Sequence, residues 1–236
     1  MFSLRLRNTA TLNPGSYKRL AMPTFISPIG FNTTSVTRSL LEYGIDSGDT
    51  VQLVRPATET NDNRAAEAVE DVTQLLQEIE PTISVSVESV AHDDFADAVM
   101  TFSNLLSNAS GEVVVSLSGG ARDILLPLTV ATMAHDEIVT TTLGYSDIDG
   151  KVRDLELPSL TETPSEGAQM TLQTVATANP PLTLPELASE VDAVKSTVTR
   201  HINSLEESGY ITSWTENRTK HISLTLSGHL YLNTIE

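Results

Sequence analysis

The chain has 236 residues, no cysteine and a formal net charge of −17, from 14 basic and 31 acidic side chains. This length accommodates one α/β domain and a smaller second domain. The lack of cysteine excludes disulfides, thiol catalysis and thiolate metal sites. No apolar run approaches the roughly 18 residues of a membrane span, and the first 22 residues lack the apolar core of a signal peptide. We therefore expect a cytoplasmic protein that does not enter a membrane.

The charge is distributed unevenly along the chain. Residues 1–21 carry four basic and no acidic residues, residues 22–165 carry six basic and 23 acidic, and residues 166–236 carry four and eight. The polar, aperiodic segment 1–21 predicts a disordered basic tail, and Met22 is a candidate for the true start. The acidity, with only four lysines, is typical of an extreme halophile. In molar salt, counterion release adds little to DNA binding, so this acidity does not exclude a DNA-binding function.

From residue 22, strand-like and helix-like stretches alternate. The predicted strands are 24–29, 50–55, 83–90 and 113–117. The predicted helices are 32–43, 63–79, 94–106 and 124–134, and residues 138–143 and 152–157 are predicted to close the domain as a hairpin. The residues predicted to face the core from the third strand and third helix are Ile83, Val85, Val87, Phe95, Val99, Phe102 and Leu106. The alternation predicts a Rossmann-like α/β domain with a mainly parallel sheet over residues 22–157.

The sequence EVVVSLSGGARD at 112–123 passes from a buried strand through two glycines into a helix. Glycines let the backbone approach a ligand, a helix start favours anions, and Arg122 can hold a phosphate by two hydrogen bonds. The alternative is that Ser-Gly-Gly only turns the chain and Asp123 caps the helix. In a doubly wound sheet this turn lies beside the turn that follows the first strand, and ligands bind between them.

Neither turn carries the Gly-x-Gly-x-x-Gly pattern, which disfavours a nicotinamide dinucleotide site. The crevice between the two turns is therefore predicted to bind another anionic ligand. The predicted ligand-binding residues are Ser27, Pro28, Gly30, Phe31, Ser118, Gly119, Gly120, Ala121 and Arg122.

The Pro/Ser/Thr-rich segment 158–165 is predicted to be a linker. Residues 166–236 then follow a different pattern, which predicts helices at 166–178, 184–190, 194–208 and 226–235 and a hairpin from 210–214 and 220–225. Thr183 and Glu186 have the spacing of a capping box at the start of the second of these helices. This order of elements predicts an α+β winged helix-turn-helix domain.

The segments LASE at 187–190, KSTVTRHI at 195–202, LEESGYI at 205–211 and LTLSG at 224–228 resemble archaeal and bacterial winged-helix regulators. The chain departs from their usual pattern at Asp192, where a glycine is common, and at Val194, where a Ser or Thr caps the helix. Burial of Val198, Ile202 and Leu205 would turn the polar residues of the same helix outward.

The resemblance implies that this helix enters the major groove of double-stranded DNA. The base-contact candidates are Ser196, Thr197 and Arg200, with Thr199 on the same outward face, and the phosphate-contact candidates are Lys195, Arg218 and Lys220. The alternative for such a domain is dimerisation or protein docking. The spacing of His201, His221 and His229 fits no zinc pattern, so no metal site is predicted.

Segments FISPIGF at 25–31, DTVQLVRP at 49–56 and VVSLSGGARD at 114–123, together with Arg64, resemble the CRISPR-associated Rossmann-fold (CARF) winged-helix regulators of archaea. Ala121 stands where that family often has Thr. The resemblance implies a homodimer that binds a cyclic oligoadenylate, the tetra-adenylate in particular, across its two-fold axis and controls a promoter at a CRISPR locus. No cofactor is implied besides this allosteric ligand.

Two alternatives remain open from the sequence. The first is an enzyme that cleaves the cyclic ligand, with Ser118, Arg122 or His92 assisting. No matched acid and base pair is present, so no catalytic residue is predicted. The second is a winged-helix regulator that senses another nucleotide metabolite.

Overall fold

The computed structural model describes residues 22–58, 62–158, 163–178, 181–191, 193–217 and 219–235. The chain divides between Leu155 and Glu156 into two compact units, and each is described by itself. The predicted N-terminal tail lies outside the described residues, as do Arg218 and residues 159–162 of the predicted linker. No helix among the described residues is long and apolar enough to cross a membrane.

The N-terminal unit is a six-stranded sheet with two helices packed on each face. Its strands are β1 (Pro23–Pro28), β2 (Thr50–Pro56), β3 (Ser84–Val90), β4 (Glu112–Ser116), β5 (Val139–Tyr145) and β6 (Val152–Asp154). Its helices are α1 (Thr34–Tyr43), α2 (Asp62–Ile79), α3 (Phe95–Asn108) and α4 (Arg122–Ala134). The strand order is β3-β2-β1-β4-β5-β6. The first five strands are parallel and β6 is antiparallel to β5, which confirms the predicted Rossmann-like fold and its closing hairpin.

The core lies in two layers, one on each face of the sheet. Neighbouring residues of a strand point to opposite faces, so Phe25 of β1 packs with Leu40 and Val72 on one side. Ile26 joins the opposite cluster with Phe102 and Leu128. All six residues of β1 are buried, because the winding reverses at this central strand and helices cover it on both faces.

Two residues predicted to be buried are exposed. Val87 is 41% exposed and Phe95 is 55% exposed, so their placement in the core was wrong. Val87 belongs to β3, which is the edge strand of the sheet and is covered less completely than the central strands. Phe95 is the first residue of α3. It directly follows the N-cap residue Asp94, whose side chain accepts a hydrogen bond from the Asp97 backbone N–H at 3.0 Å.

The C-terminal unit has the three helices and the hairpin of a winged helix, followed by a fourth helix. Its elements are α5 (Glu166–Thr177), β7 (Leu182–Thr183), α6 (Leu184–Glu190), α7 (Lys195–Glu207), β8 (Ile211–Glu216), β9 (Thr219–Leu224) and α8 (Leu226–Ile235). The three strands pair in the order β7-β9-β8. The predicted winged-helix fold is confirmed.

One hydrophobic core and a helix cap hold this unit together. Leu187 of α6 and Ile202 of α7 are buried in the same cluster as Ile222 of β9. The predicted capping box is present, since the Glu186 carboxylate accepts from the Thr183 backbone N–H at 2.8 Å while the Thr183 hydroxyl accepts from the Glu186 N–H. The cap fixes where α6 begins, and with it the entry to the helix-turn-helix.

The two phenylalanines of α3 provide a matched test of this packing. Replacing a fully buried Phe by Ala leaves a cavity, so Phe102→Ala should lower the free energy of unfolding by about 3–5 kcal/mol. Phe95→Ala changes the same residue type on the same helix but removes an exposed ring, and should cost far less. Urea denaturation followed by circular dichroism measures both. Equal losses for the two variants would contradict the assigned burial.

Candidate ligand crevice and candidate DNA-binding helix

Two glycine-bearing turns meet at the point where the winding of the sheet reverses. β1 and β4 are parallel neighbours, with Ile26 opposite Val115, so their carboxyl ends lie at the same edge of the sheet. A Cβ added at Gly30 would lie 3.2 Å from the Gly120 Cα. The predicted meeting of the turn after the first strand with the Ser-Gly-Gly turn is therefore confirmed.

The second turn needs glycine for both conformation and space. Gly119 and Gly120 have φ of +76° and +68°, a region that other residues seldom adopt. A Cβ at Gly120 would lie 2.7 Å from the Cβ of Pro28, and one at Gly119 would overlap the Ser35 hydroxyl oxygen. The backbone of this turn therefore packs directly on the first turn, with no room for a side chain.

The crevice above the turns has a volume of about 350 Å³, which is at the low end for ligand pockets. It is lined by Gly30, Phe31, Asn32, Ser35, Gly119, Gly120, Tyr145 and Asp147. Four of these are among the predicted ligand-binding residues: Gly30, Phe31, Gly119 and Gly120. The lining therefore combines the glycine backbone of the two turns with two aromatic side chains, Phe31 and Tyr145, and the carboxylate of Asp147.

Three other predicted ligand residues lie beneath the crevice as buried supports. Ser27, Pro28 and Ser118 are all buried. The Ser118 hydroxyl accepts a hydrogen bond from the Tyr145 backbone N–H at 2.6 Å, which ties the β4–α4 turn to β5. The Ile29 N–H donates to the Val54 carbonyl at 2.9 Å, which ties the first turn to β2. Both turns are therefore fixed to the sheet.

The remaining two predicted ligand residues form the start of α4. Ala121 is the N-cap residue and no side chain caps the helix there, so the alternative in which Asp123 caps α4 is wrong. Arg122 is the first helical residue and is exposed. It lies outside the set of residues that line the crevice.

The crevice also contains residues that the sequence reasoning missed. The Ser35 hydroxyl is buried without a hydrogen-bond partner among the described residues, and it points toward Gly119. Ser35 lies in the first turn of α1, so its position directly after the first strand and turn was a usable signal. Tyr145 and Asp147 come from the β5 end, which only the strand order brings to this edge. An unpaired hydroxyl beside a glycine turn favours a polar ligand.

Arg64, one of the residues that carried the family resemblance, is near the crevice. Its guanidinium carbon lies 4.8 Å from the centroid of the Phe31 ring. His92 follows β3 in the next loop and is not among the residues lining the crevice. The described residues contain no group of three His, Asp or Glu side chains that could hold a metal ion.

In the C-terminal unit, α7 presents most of the predicted DNA-binding residues. Val198, Ile202 and Leu205 are buried as predicted. Of the predicted contacts on this helix, Lys195, Ser196 and Arg200 are exposed, whereas Thr197 and Thr199 are partly buried. The Thr199 hydroxyl donates to the Lys195 carbonyl at 2.8 Å, so it is engaged within the helix.

Two further side chains of this unit have local partners. Lys220 Nζ lies 3.1 Å from a carboxylate oxygen of Glu206, so a phosphate would have to compete with that ion pair. His201 of α7 bonds the Thr171 hydroxyl of α5 through Nδ1 at 2.9 Å. Burial lowers the pKa of His201, and the charge of Arg200 lowers it further. His201 therefore joins α5 and α7.

Comparisons with known proteins agree with this division of the chain. The family model of the Csa3 CRISPR-associated Rossmann-like domain matches residues 23–146. A model of winged helix-turn-helix DNA-binding domains matches residues 175–212. No curated protein matches the chain.

Solved structures match a smaller part of the chain. A protein of Archaeoglobus fulgidus is 28% identical, with 30% of this chain and 81% of that chain covered and a TM-score of 0.28. The S. aureus MepR–DNA complex is 24% identical over 30% of this chain and 60% of that chain, with a TM-score of 0.28. Streptococcus pneumoniae FabT in complex with DNA is 28% identical over 30% of this chain and 51% of that chain, again with a TM-score of 0.28.

The close approach of the two turns can be tested with a pair of glycines. Gly120 and Gly150 share a φ of +68°, but a Cβ at Gly150 meets no atom nearer than 3.8 Å. Both Ala substitutions carry the same backbone strain, and only Gly120→Ala adds a clash with Pro28. Gly120→Ala should therefore lower the free energy of unfolding by about 1–3 kcal/mol more than Gly150→Ala. Thermal unfolding measures the difference, and equal losses would contradict the close packing.

Proposed function

Because the chain belongs to the Csa3 family of CRISPR-associated Rossmann-like domain proteins and carries a winged helix, we propose that it is a transcription regulator of a CRISPR locus. Its N-terminal unit senses a cyclic oligoadenylate, in particular the tetra-adenylate, and the bound ligand controls DNA binding by the C-terminal unit. The observation that carries the proposal is the crevice above Gly119 and Gly120, at the reversal point of the sheet, where the Ser35 hydroxyl has no hydrogen-bond partner among the described residues.

The polar groups of the crevice suit a nucleotide better than a bare phosphate. The bare backbone at Gly119 and Gly120, with the uncapped start of α4 just beyond it, favours an anionic group. The Ser35 hydroxyl can donate to a phosphate oxygen. Asp147 has the opposite preference, because a carboxylate repels phosphate and accepts hydrogen bonds from hydroxyl or amino groups. A ligand with phosphates, ribose hydroxyls and adenine amino groups meets all of these requirements.

A second copy of the chain accounts for the exposed face of α4. Arg122, Leu126 and Val130 recur every fourth residue and therefore lie along one side of the helix. Leu126 is 50% exposed and Val130 is 36% exposed. Residues 124–134 contain no charged side chain, although the chain carries −17, so two copies can meet along this part of α4 without charge repulsion. Contact along this face would bring two Arg122 side chains and two crevices toward one two-fold axis.

Such a homodimer also fits the size of the ligand and the form of a DNA site. A crevice of about 350 Å³ holds only part of a ring of four nucleotides, so two crevices share one ring. A two-fold dimer presents two α7 helices, which suits a palindromic operator. If the ring binds one arrangement of the dimer more tightly than another, ring binding increases the population of that arrangement. The DNA affinity then changes when the two arrangements differ in how well they bind DNA.

Replacement of Arg122 tests whether this side chain contacts the proposed ligand. Hydrogen bonds to a charged group contribute about 1.5–3 kcal/mol, so Arg122→Ala should raise the Kd for cyclic tetra-adenylate by roughly 10-fold or more. Arg38→Ala removes another exposed arginine, which lies within α1 and not at the helix start that follows the glycine turn, and should leave the Kd unchanged. Titration calorimetry on the full chain measures both, with circular dichroism as a check on folding. Unchanged affinity in Arg122→Ala would remove this residue from the site.

Replacement of Arg200 tests DNA reading by α7. Arg200→Ala should weaken binding to a duplex selected from a random library by about 1–3 kcal/mol while changing binding to scrambled DNA much less. Lys195→Ala should weaken both duplexes equally and reduce the salt dependence of binding. Fluorescence anisotropy at two salt concentrations distinguishes the two patterns. An equal loss on both duplexes for Arg200→Ala would reassign Arg200 to phosphate contact.

A further inference from the structure

The wall of the crevice carries an aromatic ring at a well-defined position. Phe31 is 47% exposed, although a ring of this size is normally buried. The backbone on both sides of it is fixed. The Ile29 N–H bonds the Val54 carbonyl, and the Asn32 side chain accepts from the Thr34 N–H at 2.9 Å. The exposure of Phe31 therefore results from a rigid turn.

A cation lies against this ring from a different element. The Arg64 guanidinium is 4.8 Å from the ring centroid, within the range of about 6 Å in which a cation is attracted to an aromatic face. Arg64 lies in the first turn of α2. The next residue, Ala65, and then Ala68 are buried, so the backbone that carries Arg64 is fixed on the core. Arg64 itself is exposed.

We propose that Phe31 is the stacking platform for one base of the ligand and that Arg64 is a positioning residue that holds the ring through its cation–π contact. This inference rests on the proposed function and adds to it the way in which the site recognises bases. Stacking on an aromatic side chain favours any planar base over a ligand that offers phosphate alone. The glycine turn then receives the sugar-phosphate part, and Phe31 receives the base.

The arrangement predicts different sizes of effect for the two residues. Removing a stacking side chain costs about 1–3 kcal/mol per base, so Phe31→Ala should raise the Kd for cyclic tetra-adenylate by roughly 5- to 150-fold. Arg64→Ala removes only the cation–π contact that positions the ring. At an exposed site the loss of this contact should raise the Kd for cyclic tetra-adenylate by about 2- to 5-fold. Phe31→Tyr keeps a stacking ring and should retain most of the affinity.

A double-mutant cycle in the full chain tests the inference. Because Arg64 acts through Phe31, Arg64→Ala should have no further effect in a Phe31→Ala background. It should also leave the salt dependence of ring binding unchanged, since no phosphate contact is lost. Titration calorimetry with cyclic tetra-adenylate at two salt concentrations measures these quantities, and thermal unfolding verifies that each variant is folded.

Each contrary result has a separate meaning. Unchanged affinity in Phe31→Ala, with a wild-type chain that binds the ring, overturns this inference alone. An additive effect of Arg64→Ala, together with a reduced salt dependence, assigns Arg64 to a phosphate and overturns its positioning role. A wild-type chain that binds no ring overturns the proposed function and this inference together.

Discussion

The crevice depends on the contact between two backbone turns that leaves no space for side chains. Gly30 approaches the Gly120 backbone, and Gly120 in turn packs on Pro28. This contact is possible only because β1 and β4 are neighbours in the sheet, and they are neighbours because the winding reverses between them. The order of the strands therefore decides the position of the site, and the glycines decide how closely a ligand can approach the backbone.

In both units, polar side chains of similar chemistry have different roles. In the N-terminal unit, the Ser118 hydroxyl holds a turn, whereas the Ser35 hydroxyl at the crevice has no partner within the part of the chain that the structure describes. In the C-terminal unit, the Thr199 hydroxyl bonds its own helix, whereas Ser196 and Arg200 face outward. A residue type alone therefore does not identify a contact, because the surrounding hydrogen bonds decide which groups remain available to a ligand or to DNA.

Most of the fold could be predicted from the sequence, because the spacing of apolar residues indicates the type of each element and glycine or proline residues mark where elements begin and end. Two predictions of burial were wrong because exposure depends on where a residue lies in the folded unit: Val87 is on the edge strand of the sheet, and Phe95 is at the start of a helix. The glycines of the site could be predicted from local conformation. Tyr145 and Asp147 could not, because only the pairing of β5 beside β4 brings them to the crevice.

We propose that occupation of the crevice changes the DNA affinity of the winged helix. The most direct test is the affinity of the full chain for its selected DNA duplex, measured by anisotropy without ligand and with saturating cyclic tetra-adenylate. The account predicts a change in Kd, in either direction, of at least about 5-fold, which is the lower end of typical coupling between sites. The same Kd in both conditions, with calorimetry showing that the ring is bound, would contradict it.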